Sequence, residues 1–282
     1  MTETTAADVR RSVTAGLRAL EEAQEPDGSF ALTEVAARPP ETPADNLFST
    51  AMVLGLVAGE LHPEVVARGV TYLLERREAD GLWKWAEGAP LPSDSDDTAC
   101  CLGALAAAGA TLDRAAGVRQ LRRFWRWGGP FRTWLARGAW GARDRDDPVV
   151  NCNVLWAIQQ LGTAPKRAER AAVGRIVARA TGGTRYYCSA ASLAWAAARA
   201  GISTPQLSPP ADAAGRPLEC ALWLLAGREP GPASRAVLLD TQEADGGWPA
   251  EPWVQDHSGA WESRPVTAAF AIAALSRNTP LA

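Results

Sequence analysis

The sequence has few of the features that mark membrane, nucleic-acid-binding or disulfide-rich proteins. No apolar run reaches the ~18 residues that a membrane-spanning helix needs, and the polar residues 1–11 predict no signal peptide. Lys and Arg number 29 against 32 Asp and Glu, so no overall positive charge suggests a nucleic acid as partner. The five cysteines are scattered and odd in number, which favours a protein of the reducing cytoplasm over a disulfide framework.

Tryptophan, in contrast, is abundant. The chain has 12 Trp beside 3 Tyr and 5 Phe. Such an excess indicates either a repeated packing motif or a cavity lined by aromatic faces, and those faces stabilise cations.

A short motif recurs three times along the chain. Each copy has an Asp-Gly pair followed two residues later by Phe or Trp, and the copies lie at residues 24–30, 77–83 and 242–248. Asp-Gly favours a chain reversal with a residue at positive φ. The aromatic side chain would then fill the seam between neighbouring helical hairpins.

Around these repeats the apolar pattern predicts six helix pairs. The first, amphipathic helices are expected at residues 6–23, 63–77, 113–127, 165–180, 204–214 and 232–242. The second, more apolar helices are expected at residues 46–59, 95–109, 148–161, 187–200, 217–227 and 264–276. Apolar helices must be buried while their partners face water. We therefore predict an all-α fold, a single (α/α)6 toroid with inner and outer helix rings, formed by one domain of residues 1–282.

Three acids stand directly before the second inner helix, at Asp94, Asp96 and Asp97. Helix capping is the simplest explanation, because Asp is a favoured N-cap and first-turn carboxylates interact well with the helix dipole. Capping does not explain the third acid. Crowded carboxylates raise at least one pKa, which leaves a proton available for donation.

Parallel inner helices would bring their starts to one end of the ring, where a ligand would meet several polar side chains. A second Asp-x-Asp-Asp motif occupies residues 144–147, although Pro148 after it also favours a plain cap. Trp residues within the inner helices could either pack in the core or line a cavity. The candidate substrate-binding residues are Tyr186, Tyr187, Trp156, Trp195, Asn151, Asp146, Asp147 and His257.

Residues 94–99, Asp-Ser-Asp-Asp-Thr-Ala, together with the three repeats, resemble the class II terpene cyclases, which include squalene–hopene cyclase. The repeats also resemble the wider prenyltransferase and squalene-cyclase repeat group. The resemblance implies a β-type toroidal domain in which Asp96 protonates an isoprenoid double bond or epoxide, with Asp94 and Asp97 holding its geometry and acidity. It also implies aromatic stabilisation of the carbocation and assistance to the acid by a basic group, for which His257 is a candidate. Such an enzyme is an isomerase.

Family members usually place this site between two helical domains. A single domain would need a short substrate, or a second copy or partner subunit that closes the site. A prenyl diphosphate substrate would bring a requirement for Mg²⁺, held by the Asp clusters; otherwise we expect no metal or other cofactor.

Three other functions fit parts of the sequence. A protein prenyltransferase would need a zinc site of Asp, Cys and His, for which Asn151-Cys152 is the nearest fragment. A glycoside hydrolase would use two acid sets with Trp platforms, and inverting enzymes place their carboxyl groups ~6.5–9.5 Å apart. A non-catalytic toroid that binds a prenyl chain or a partner would use its acids only as caps.

Overall fold

The computed structural model describes residues 5–35, 45–87, 91–135, 146–180, 184–210, 213–230, 234–256 and 259–277. Eleven α-helices lie in these ranges. Six of them form the inner set: α2 (Leu47–Val57), α4 (Ser95–Ala107), α6 (Pro148–Gln160), α8 (Ala190–Ala200), α9 (Pro217–Leu225) and α11 (Arg264–Ser276). Five form the outer set: α1 (Ala6–Glu22), α3 (Pro63–Glu75), α5 (Arg114–Arg122), α7 (Arg167–Arg179) and α10 (Ser234–Asp240).

The inner helices close into a ring. Each contacts the next in the order α2, α4, α6, α8, α9 and α11, and α11 contacts α2 again. Their side chains are buried on nearly every face, as the continuous apolar sequence requires. The outer helices bury one face only, and α1 packs on α11 across the point where the ring closes. The predicted helical toroid is confirmed.

The prediction of an outer helix at residues 204–214 was wrong. That stretch contains only a short 3₁₀-helix at Ala213–Gly215 within the described residues. Pro205, Pro209 and Pro210 explain the difference, because proline lacks the amide donor and clashes with the preceding turn of a helix. The fifth inner helix therefore has an irregular segment in place of a helical partner.

The structure also contains a small antiparallel sheet that the all-α prediction did not include. Its strands are β1 (Thr33–Glu34), β2 (Pro252–Gln255) and β3 (Ala260–Glu262), in the order β1-β3-β2. Thr33 pairs with Glu262, and Val254 pairs with Trp261 across β2 and β3. The sheet joins the loop before α2 to the loop before α11.

The repeated turns tie neighbouring outer helices together. Gln24 Nε2 donates to Gly28 O of its own turn and to Val65 O of α3, both at 2.9 Å. Gln242 Nε2 likewise donates to Gly246 O at 2.7 Å and to Ser12 O of α1 at 2.9 Å. Trp83 and Trp248, the aromatic residues of two repeats, are fully buried. The expected role of the motif in packing hairpins together is thus visible in its contacts.

None of the helices in the described ranges is both long enough and apolar enough to span a membrane.

Gly28 illustrates how tightly the turns pack. Its φ is +90°, and a Cβ placed there would lie 2.5 Å from Arg68 O. Gly109 has a similar φ of +71° but open space around it.

We expect Gly28→Ala to lower the free energy of unfolding more than Gly109→Ala does. Both variants incur the cost of a left-handed residue, about 1–2 kcal/mol, but only Gly28→Ala also pushes against the backbone of α3. Urea unfolding of the two variants and the wild type measures the difference. Equal losses would show that the turn does not pack closely on α3.

Candidate active site

The site forms at the start of α4. Asp94 N donates to Trp83 O at 3.1 Å and Ser95 N donates to Thr133 O at 2.8 Å, which fixes the chain between two neighbouring repeats. Asp94 Oδ1 then accepts from Asp96 N and Asp97 N, both at 2.8 Å. Asp94 is therefore a true N-cap. The side chains of Asp96 and Asp97 do not form this cap.

Asp96 is held by two side-chain donors. Tyr187 Oη donates to Asp96 Oδ2 at 2.7 Å, and Asn153 Nδ2 donates to Asp96 Oδ1 at 2.7 Å. Asn153 Nδ2 also lies 2.9 Å from Tyr187 Oη and donates to it. Asp96 keeps only 9% of its surface exposed.

Arg199 fixes the orientation of Asn153. Arg199 Nη2 donates to Asn153 Oδ1 at 2.6 Å. Since a guanidinium has donors only, the amide oxygen must face Arg199 and the amide nitrogen must face Asp96. The guanidinium itself lies between two indoles, 4.1 Å from the ring centroid of Trp156 and 3.8 Å from that of Trp195. The result is a chain of contacts from a cation through an amide to a carboxyl group.

Burial sets the protonation of the three acids. It is the largest cause of the raised pKa of Asp96, which reaches about 7; the hydrogen bonds from Tyr187 and Asn153 lower this pKa, and the negative charge of Asp94 raises it. The pKa of Asp97 is raised well above its usual range, first by burial and then by the charge of Asp94. Asp97 Oδ2 is buried without a hydrogen-bond partner, which suits a neutral carboxyl group. Burial also raises the pKa of Asp94, against the hydrogen bonds that it accepts.

Aromatic side chains continue from Tyr187 in a connected series. Trp253 lies 5.9 Å from Tyr187 and 5.2 Å from Phe48 between ring centroids. Trp253 also lies 5.9 Å from Phe270, which packs edge-on against Trp195 at 4.7 Å. The series thus leads from Tyr187, which contacts Asp96, to Trp195, which contacts Arg199.

The hairpin of β2 and β3 places Tyr187 and Trp253. Cys188 N donates to Trp253 O, and Gln255 N donates to Tyr186 O, both at 3.0 Å. Tyr187 therefore sits in a strand-like segment paired with Val254. The expectation that Tyr186 and Tyr187 begin an inner helix was wrong, because Ser189 caps that helix and α8 begins at Ala190.

The structure brings some of the predicted substrate-binding residues to this site. Tyr187 contacts Asp96 directly, and Trp156 and Trp195 stack on Arg199. Trp156 is seated against Gly103 of α4, where any Cβ would overlap its ring at 2.2 Å. Tyr186 is half-buried and packs edge-on against Trp134 at 6.0 Å.

Other predicted residues have different contacts. Asn151 Oδ1 accepts from Phe131 N at 2.8 Å, so its amide holds a turn. Asp147 caps α6 through Val149 N at 2.8 Å and also accepts from Arg185 N. Asp146 is exposed and forms an ion pair with Arg126. His257 lies outside the described residues.

Sequence reasoning missed Asn153 and Arg199. Asn153 offered a signal, since it is a polar residue inside an otherwise apolar inner helix. Arg199 offered none, because an arginine in the last turn of a helix is usually a solvated partner of the helix dipole. Trp253, Phe48 and Phe270 were also missed; Trp253 lies in a loop whose hairpin was not predicted.

In the part of the chain that the structure describes, no group of three or more His, Cys, Asp or Glu side chains has an arrangement that would hold a metal ion.

No protein-family model matches the chain, and no curated protein matches it. Solved structures do match. The type II terpene cyclase MstE from Scytonema has a TM-score of 0.70 at 16% identity, over 98% of this chain and 99% of that one. The ent-copalyl diphosphate synthase from Streptomyces platensis has a TM-score of 0.52 at 23% identity, over 81% of this chain and 50% of that one.

A glycosidase variant also matches, with a TM-score of 0.52 at 15% identity over 97% of this chain and 98% of that one. MstE has been solved with geranylgeranyl dihydroxybenzoate as its substrate. At these low sequence identities, the structural similarity establishes the fold alone. The chain has the helical toroid fold of the type II terpene cyclases.

The raised pKa of Asp96 makes stability depend on pH in a particular direction. The unfolded chain releases this proton near 3.8, whereas the folded protein keeps it to about 7. Between these values the folded state binds more protons. The contribution of Asp96 to stability is therefore present at low pH and is lost as the pH rises through about 7.

We expect the wild type to become less stable between about pH 5 and pH 8, and Asp96→Asn to lose less over the same range. The slope removed is at most about 1.4 kcal/mol per pH unit for one carboxyl group. Thermal unfolding at several pH values measures it, and the exposed Asp240→Asn is the matched control. If Asp96→Asn and wild type have the same slope, Asp96 does not titrate as described.

Proposed function

We propose that this protein is a class II terpene cyclase that starts cyclisation by transferring a proton from Asp96 to an isoprenoid alkene. The observation that carries the proposal is a buried carboxyl group with a pKa of about 7, held between Tyr187 and Asn153. A general acid works best when its pKa lies near the working pH. An ordinary surface aspartate, by comparison, is deprotonated at neutral pH.

In this reaction the proton of Asp96 forms a new C–H bond at one alkene carbon, and the other carbon becomes a cation. A second alkene of the same molecule then attacks this cation, so that a C–C bond forms and the positive charge moves to a carbon of the second alkene. Water takes a proton from the final cation and Asp96 regains a proton from water, so that the acid is restored and the overall change is an isomerisation. Asp94 keeps its oxygen on the amides of residues 96 and 97 and so fixes the position of the acid.

The residues around Asp96 stabilise the carboxylate that proton transfer leaves behind. Tyr187 and Asn153 already donate to its two oxygens, and no reorganisation is needed to accept the negative charge. Arg199 polarises the amide of Asn153 from the far side. Asp97, kept neutral by burial, adds no second charge beside the product carboxylate.

The aromatic series supports the cationic half of the reaction. Tyr187, Trp253, Phe48 and Phe270 have π faces, which stabilise positive charge without forming a bond to it. The fold supports an isoprenoid substrate because MstE, which shares it, is a type II terpene cyclase. We propose that the substrate is an isoprenoid, with or without a diphosphate. It would bind within the single domain of residues 1–282 or at a site closed by a second copy of the chain. Mg²⁺ is proposed only for a diphosphate substrate.

Asp96→Asn should abolish turnover. A positioned general acid contributes about 10²–10⁴-fold, so product formation should fall by at least the lower figure while the protein stays folded. The assay incubates purified protein with geranyl, farnesyl and geranylgeranyl compounds, with and without diphosphate, and analyses hydrocarbon products by mass spectrometry. Asp240→Asn is the control. Wild-type turnover by Asp96→Asn would refute the role of this acid.

The same assay with EDTA separates acid chemistry from metal chemistry. Ring closure that survives EDTA supports protonation by Asp96, whereas loss of all activity, restored by Mg²⁺, would assign the acids to a metal-held diphosphate. Sugar release from glycans, with no isoprenoid product, would instead favour the hydrolase that shares this fold.

Arg199→Met should shift the pH profile. The wild-type kcat/KM should fall as pH rises above about 7, because the active form carries a proton on Asp96. Without the cation behind Asn153, the carboxylate is less stable, so we expect the falling limb to move to higher pH and kcat to drop. Arg199→Lys, which keeps the charge, should preserve more of the wild-type profile. If the falling limb of the pH profile is not shifted in Arg199→Met, the role of this arginine is limited to packing.

A further inference from the structure

A fourth turn, at residues 125–131, has the length of the three repeats and shares two of their backbone contacts, although its positive φ lies at Gly128, one residue earlier than in the repeats. Trp125 pairs with Phe131 as Gln24 pairs with Phe30. Gly129 N donates to Arg126 O at 2.9 Å, and Gly28 N donates to Glu25 O at the same distance. The fourth turn follows α5 and precedes α6, just as the others lie between an outer and an inner helix. Its surface can therefore be compared position by position with theirs.

The fourth turn differs in charge from the other three turns. The other turns each expose a Glu and an Asp, at residues 25 and 27, 78 and 80, and 243 and 245. The fourth turn has Arg126 and Gly128 at these positions. Between the two acids the other turns have Pro26, Ala79 and Ala244, whereas the fourth has Trp127. The Trp127 side chain is 99% exposed. A fully exposed indole has no packing role, so the fold does not explain it.

The surroundings of Trp127 are basic. Residues 113–180 contain 14 of the 29 Lys and Arg but only five of the 32 Asp and Glu. The chain as a whole has a net charge of −3, so positive charge is concentrated in this segment of the sequence, which contains α5 and α7. The outer helices of that side, α5 and α7, are linked by the ion pair of Arg122 with Glu169 at 2.8 Å.

Three arginines near the turn remain available to a partner. Arg123 and Arg126 are already paired with Asp80 and Asp146. Arg132, Arg175 and Arg179 are exposed, and none of them has an ion pair within the described residues. Arg175 Nη2 lies 3.5 Å from Gly128 O and so adjoins the turn. Trp127, Arg132, Arg175 and Arg179 together are called the Trp127 face.

We propose that the Trp127 face docks on an anionic lipid membrane. Indole rings favour the boundary between lipid headgroups and acyl chains, and arginines nearby are attracted to anionic headgroups. Both features occur together only at this turn of the four. A nucleic acid would engage the arginines but would leave the fully exposed indole without a role.

The position of the face suits the proposed function, on which this part of the argument rests. The turn precedes an inner helix, so it lies at the end of the ring where Asp96 lies. Isoprenoids partition into membranes. Docking through Trp127 would present that end of the ring to the phase in which the substrate is dissolved.

The test measures binding to vesicles without any turnover. Wild-type protein is mixed with vesicles of phosphatidylcholine alone and with vesicles that also contain phosphatidylglycerol, and bound protein is quantified by sedimentation. We expect binding to the anionic vesicles only, weakened by salt. A blue shift of Trp fluorescence on binding, absent in Trp127→Ala, should show that the ring enters the interface. Failure of the wild type to bind anionic vesicles would overturn the proposal.

Variants test whether the Trp127 face is the surface that binds the vesicles. Trp127→Ala removes a fully exposed side chain and keeps Gly128, which carries the positive φ of this turn, so the turn should still fold, and vesicle binding should fall severalfold. Arg175→Gln with Arg179→Gln should reduce binding by roughly fivefold for each arginine. Arg10→Gln with Arg68→Gln, on α1 and α3, is the matched control and should bind normally.

Equal binding by all these variants would overturn the Trp127 face as the docking site, and so would tighter binding to a short DNA duplex than to anionic vesicles. Asp96→Asn should bind vesicles like the wild type, so failure of the proposed chemistry and failure of docking are separable. Circular dichroism confirms that each variant is folded.

Discussion

Burial of three neighbouring carboxyl groups is the constraint on which the site depends. Water would otherwise ionise all of them, and inside the ring three adjacent charges would be too costly. The structure resolves the conflict by giving each acid different partners. Asp94 accepts backbone amides, Asp97 stays neutral, and Asp96 lies between Tyr187 and Asn153 with a pKa of about 7. One helix start thereby holds a cap, a neutral neighbour and an acid close to its point of titration.

The scaffold around this site works through parallel helix starts. Inner helices are buried because their sequences are apolar, and the turns before them are fixed by the repeats. Four residues connect to Asp96 directly or through one another: Asn153 from α6, Arg199 from the last turn of α8, Tyr187 from the loop before α8 and Trp253 from β2. Only the last two depend on the hairpin that joins the ring to its sheet. The inner helices supply Asn153 and Arg199, and the pairing with the hairpin places Tyr187 and Trp253.

Periodicity and turn chemistry were sufficient to predict the toroid and eleven of its twelve proposed helices. They failed at residues 204–214, where three prolines outweigh a weak helical pattern, and at the small sheet, whose strands are short and distant in sequence. The acids of residues 94–97 were proposed as the site from their crowding, which capping does not explain. Asn153 and Arg199 were not, because the residues that a helical side chain meets on neighbouring elements depend on tertiary packing. Arg199 points inward since Trp156 and Trp195 enclose it.

The packing of α1 on α11 has a consequence for how the chain acquires its structure. These helices are separated by most of the sequence, yet each covers part of the other. During synthesis on the ribosome, α1 emerges long before α11 has been made, and the apolar face of α1 stays uncovered until then. The contacts that close the ring can form only late in translation, and a nascent chain stalled before α11 would expose the side of α2 that α11 later covers. Chaperones that shield apolar helices would act on this species rather than on the finished ring.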